Sequence, residues 1–133
     1  MTTGRVIAAL PLAALLIAAP ATAEEMSLDV AVLQGLDKVV GRVMTIEAPI
    51  GVPVRFGTLQ IVAATCRKRP PEEPPESAAY LEITETRPGE ASQTRFKGWM
   101  FASSPALSAM EHPVYDVWVL DCKATSSGTS STR

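Results

Sequence analysis

The chain holds only two cysteines, Cys66 and Cys122, separated by a long run of short β-branched segments. If they are joined, every segment between them must fold so that its two ends meet. Whether they join depends on compartment, and the first residues bear on that. MTTGR carries one cation, Arg5, and Val6 to Ala18 is an uncharged apolar run interrupted only by Pro11. Ala21-Thr22-Ala23 then has the small-x-small form of a cleavage site. The run is shorter than the roughly 20 residues that cross a bilayer. No second such run follows, and no cysteine stands at the cut to receive a lipid. A signal peptide over residues 1–23, cut after Ala23, is expected, leaving an exported chain with no transmembrane span.

Outside the cytoplasm two thiols oxidise to a disulfide. Closing a loop as long as 66 to 122 is worth about 4 kcal/mol in the chain-entropy model. A redox role would call for a C-x-x-C pair, which is absent. Zinc would need four protein ligands, and two cysteines with the single histidine, His112, supply too few. No metal and no cofactor is expected. Once Arg5 leaves with the leader, 12 cations become 11 against 14 anions, a net charge of −3. That balance disfavours a nucleic-acid partner.

From Leu28 the pattern is strand, turn, strand. Segments 28–36, 39–48, 52–56, 58–66, 79–86, 93–103 and 114–122 are short and β-branched. Leu59, Ile61 and Ala63 share one parity, as do Leu81 and Ile83. Ala48-Pro49-Ile50-Gly51 reads as a turn, Gly57 as a tight corner, and Arg87-Pro88-Gly89-Glu90 as a type II turn closing a hairpin. Only 104–112 suits a helical turn, with Ser104 as its cap, Pro105 at its first position and Pro113 as its stop. The expectation is an all-β single domain over 24–122: a small sandwich or partly closed barrel with one short helical turn. Residues 123–133, KATSSGTSSTR, have the composition of a disordered tail. Trp118 is expected in the core.

CRKRPPEEPPES, 66 to 77, is the least ordinary stretch. It lies inside the span closed by the cysteines, so it is a loop within one domain and not a linker. Pro70, Pro71, Pro74 and Pro75 fix φ and favour an extended path that loses little entropy on ordering. Arg67, Lys68 and Arg69 are expected to be balanced by Glu72, Glu73 and Glu76.

The stretches CRKRPPEEPPESAA and GWMFASSPALSAMEHPVYDVWVLDC, with LQGLDKVVGR and VRFGTLQI, resemble the alphaproteobacterial family known as domain of unknown function 2155, from about Leu33 to Cys122. The resemblance implies a periplasmic protein with no established reaction. An accessory or assembly role in a respiratory or envelope complex is one reading compatible with it.

Catalysis has thin support in the residues. A hydrolase would have to use His112 as base, Ser103 or Ser104 as nucleophile and Asp116 as orienter, and no G-x-S-x-G elbow is present. Acids such as Glu82, Glu85 and Asp121 are numerous, but none is marked as a catalytic pair. The aromatic segment is more informative. Trp99, Phe101 and Lys97 share one face of a strand, while Phe96 and Met100 share the other. Both faces being apolar, one is expected to be incompletely covered and open to a partner. The candidate surface comprises Arg67, Arg69, Glu72, Glu73, Trp99, Phe101 and His112. The chain is thus expected to be a non-catalytic binding or structural module for a protein partner in the periplasm or at the inner membrane.

Overall fold

A computed structural model describes residues 3–17 and 25–125. The cleavage site 21–23 and most of the expected tail lie outside these residues. Residues 3–17 form no regular element and are exposed. No helix among the described residues is long and apolar enough to cross a membrane.

The described residues fold into eight strands: β1 (Met26–Ser27), β2 (Val30–Asp37), β3 (Arg42–Pro49), β4 (Val54–Phe56), β5 (Leu59–Lys68), β6 (Ser77–Glu85), β7 (Gln93–Phe101) and β8 (Tyr115–Lys123). They form two antiparallel sheets. The larger has the order β1-β5-β6-β7, with β4 also on β5, and the smaller has the order β3-β2-β8. The sheets do not close on each other, so the architecture is a sandwich and not a barrel. The one helical element among the described residues is a single 3-10 turn, Pro105–Ser108. Pro105 opens it as expected, but the Ser104 side chain makes no capping hydrogen bond. The Ser104 amide instead donates to the Phe101 carbonyl at 3.2 Å, tightening the exit from β7.

Alternation decides which residues meet between the sheets. Leu59, Ile61 and Ala63 of β5, Leu81 and Ile83 of β6, Leu33 of β2, and Val117 and Val119 of β8 are fully buried. Each large aliphatic side chain so buried contributes about 1.5–3 kcal/mol. Trp118 stands between Val117 and Val119 and therefore faces outward, only partly covered. The expectation that it belongs to the core is corrected by that parity.

The turns follow from backbone chemistry. Arg87–Glu90 is closed by a 3.0 Å bond from the Glu90 amide to the Arg87 carbonyl, with Gly89 at φ +79°. The turn after β3 sits one residue later than expected. The Val52 amide bonds to the Pro49 carbonyl, which puts Gly51, φ +77°, at the third position. A type II turn needs positive φ at that place, and this requirement outweighs proline's preference for the second.

Cys66 of β5 and Cys122 of β8 stand at disulfide distance, their Cα atoms 5.7 Å apart. The bridge joins the two sheets at the end where β5 finishes and β6 begins.

Candidate functional site: an aromatic and guanidinium groove

Register places the site. On the outer face of the larger sheet, Arg67 lies opposite Ala78, which lies opposite Phe101; one row on, Thr65 lies opposite Tyr80, which lies opposite Trp99. Tyr80 meets Trp99 edge-on, with centroids 5.7 Å apart and planes at 79°. The small Ala78 between Arg67 and Phe101 leaves a depression. Across it the Arg67 guanidinium reaches the indole, 5.9 Å from the ring centroid. Such a contact fixes a long side chain that would otherwise be free.

The groove has a volume of about 290 Å³ and is lined by Glu25, Arg67, Arg69, Glu76, Trp99 and Phe101, with Ala78 at its floor. Four expected surface residues, Arg67, Arg69, Trp99 and Phe101, therefore come together from strands distant in sequence. Glu72 and Glu73 belong to the neighbouring loop and do not line the groove.

The proline stretch is an ordered connection between β5 and β6. The Arg69 amide bonds to the Glu76 carbonyl at 3.0 Å, continuing the ladder, and the Glu73 amide bonds to the Pro70 carbonyl at 3.0 Å. Glu76 anchors the far root. Its Oε1 accepts from the Ser77 and Ser103 amides at 3.1 and 3.2 Å, and its Oε2 accepts from the Ser103 hydroxyl. Burial by itself would raise the Glu76 pKa. The bonds from Ser103 and Ser77 and the charge of Arg69 outweigh it and hold the carboxyl below its ordinary value. The local charge balance meets the expectation for Arg69, whose charge acts on Glu76, and departs from it for the other two cations. Arg67 pairs with Glu25 at 3.7 Å and Lys68 with Asp121 at 2.8 Å, neither with a loop glutamate.

His112 lies elsewhere. It is buried, its side chain wholly enclosed, so it is not part of an exposed surface. Nε2 stands 3.0 Å from Oε2 of Glu85, and Nδ1 receives the amides of Val114 and Tyr115, both at 3.0 Å. Two amide donors on Nδ1 make it the acceptor, so the proton is on Nε2, directed at Glu85. Glu85 also accepts from Thr58 at 2.6 Å and from Arg95 at 2.7 and 3.0 Å. Burial would raise the Glu85 pKa, but the bonds from Thr58, Arg95 and His112 bring it down to about 2. Both ring nitrogens of His112 are thus engaged, and neither Ser104 nor Asp116 is among their partners. Asp116 shares the outward parity of Trp118 on β8.

Sequence reasoning missed Glu85 as a buried acid held by the partly buried Arg95 and Thr58, and missed Tyr80 and Glu76 in the site. Glu85 continues the buried parity of Leu81 and Ile83, which was a usable signal for an acid needing an internal partner. Among the described residues no group of three or more His, Cys, Asp or Glu is placed to hold a metal.

The fold and groove define a class: a two-sheet antiparallel β-sandwich, bridged between its sheets, with an aromatic and guanidinium groove on one outer face. The chain belongs to a family of uncharacterized proteins conserved in bacteria, DUF2155, which it matches over residues 31–122. A relative from Rickettsia prowazekii (strain Madrid E), the uncharacterized protein RP359, is 31% identical over 87 residues, covering 65% of this chain and 56% of the relative. The match therefore spans little more than half of that relative's length. No solved structure matches the chain.

Proposed function

We propose that the protein is an exported, periplasmic, non-catalytic binding module that presents the Arg67, Arg69, Trp99 and Phe101 groove to a protein partner. The observation that carries this reading is the convergence of two guanidinium groups and two aromatic rings around one open depression. Aromatic and arginine side chains dominate the affinity of protein interfaces, because rings cover a large apolar area with few rotors and the planar guanidinium offers several hydrogen-bond donors at once. Full engagement of His112 favours binding over hydrolysis, since the base of a Ser104/His112/Asp116 site would have no free ring nitrogen. An accessory or assembly role in a respiratory or envelope complex would use the same face.

The test is crosslinking in the envelope followed by mass spectrometry of the recovered complex. Trp99→Ala, and separately Arg67→Glu with Arg69→Glu, lose the partner while the thermal transition stays within a few degrees of the parent. Undiminished recovery with all of these variants contradicts the reading.

A further inference from the structure

We propose that the groove also receives the proline and glutamate loop of a second copy of this chain, so that two molecules form a two-fold dimer by exchanging loops. This rests on the reading of the groove as a protein-binding surface and names one of its occupants.

Three observations support it. The first is unsatisfied charge at one corner of the molecule. Among the described residues Glu72 and Glu73 have no ion-pair partner, Arg69 acts on Glu76 without a close ion pair, and Arg67 holds Glu25 only at 3.7 Å, with both side chains about half exposed. Arg67 and Arg69 line the groove together with Glu25 and Glu76, while Glu72 and Glu73 stand on the adjoining loop, so a second copy's loop acids can replace the weakly held Glu25 on Arg67.

The second is the chemistry of the loop. Proline-rich segments bind grooves lined by aromatic rings because their extended conformation is already set and little entropy is lost on docking. Pro71, Glu72, Pro74 and Pro75 are exposed. The groove offers Trp99 and Phe101 to prolines and Arg67 and Arg69 to carboxylates.

The third is placement. Arg69 and Glu76 are the two roots of the loop, bonded to each other, and both also line the groove. The loop is therefore beside its own groove but held by its roots and its Pro70–Glu73 turn, which keep it from entering. A two-fold axis passing near the shared roots carries each loop into the other molecule's groove at once. Such an isologous contact closes on itself and leaves no open end for further growth. Glu25 occupies the guanidinium that the incoming acid takes, so it competes with the dimer.

The experiment is sedimentation of protein recovered from the periplasmic fraction, over a wide range of concentration and at two salt concentrations. The parent shifts from the monomer mass to twice that mass as concentration rises, and high salt opposes the shift. Glu72→Lys with Glu73→Lys, or Arg67→Glu with Arg69→Glu, weakens self-association by about tenfold or more. Glu25→Gln strengthens it. Mixing the two charge-reversed proteins restores a mixed dimer that neither forms alone. A monomer at every concentration, or a dimer indifferent to these reversals, overturns the inference. Envelope partner capture is scored on the same variants. If it depends on Trp99 while the protein stays monomeric, the binding function stands and only the dimer is lost. If capture is also indifferent, both fall.

Discussion

Glu85 shows how one residue's environment becomes a property of stability. An ordinary glutamate titrates near 4.3, and in the fold Glu85 titrates at about 2. Because the folded value is the lower one, the carboxylate contributes stability above the unfolded pKa, and that contribution is lost as pH falls from about 4 to 2. It amounts to about 3 kcal/mol at neutral pH. Glu85→Gln removes it and leaves the Arg95 guanidinium without its counter-charge. Urea unfolding should show a loss of about 3 kcal/mol at neutral pH. The variant's stability should then change less than the parent's between pH 4 and pH 2. A parent whose acid limb matches that of the variant would contradict the assignment. None of this was legible in the sequence, because Glu85 and His112 are 27 residues apart and no local pattern pairs them. Parity alone could have flagged the acid, and nothing could have named its partners.

At the level of elements, turns carry the most specific constraints. Gly57 has φ +59°, and a Cβ at that position would collide with the Tyr115 ring. Gly41 has φ +68°, but open space surrounds it. Gly41→Ala should therefore cost about 1 kcal/mol, from backbone conformation alone. Gly57→Ala should cost more, about 2–4 kcal/mol, because the ring that closes the core beside Phe56 must also move. Denaturant midpoints of the two variants provide the comparison, and equal shifts would refute it. Strands were the most readable part of the sequence. Alternation of Leu59, Ile61 and Ala63 and the Pro88-Gly89 turn depend only on neighbouring residues. Where tertiary context intervenes, local reading failed. The bulges at Ala64 and Leu120 shift parity partway along β5 and β8, and Trp118 was assigned to the wrong side.

Across the molecule, the two sheets are fastened by different chemistry at their two ends. Cys66–Cys122 joins them where β6 begins, and Glu85 with His112 joins them where β6 ends. Replacing both cysteines by alanine should lower stability by about 4 kcal/mol, read from chemical denaturation, while the strand content in far-ultraviolet dichroism persists at low denaturant. Loss of all strand signal without denaturant would show that the bridge is required for folding itself. The groove residues Arg67, Arg69, Trp99 and Phe101 were legible as individuals because composition singled them out. Their meeting depends on register across three strands, which only the folded sheet provides. His112 drew attention because it is the one histidine, yet its place was settled by an acid the sequence did not mark.

That double fastening has a consequence for durability. A reductant cuts the covalent clasp and leaves the hydrogen-bonded one, whereas acid protonates Glu85, loosens its bond with His112 and leaves the sulfur bridge. Like a book held by a lock on one edge and a ribbon on the other, the sandwich stays shut against either insult alone. It should spring open abruptly only when low pH and a reducing agent act together.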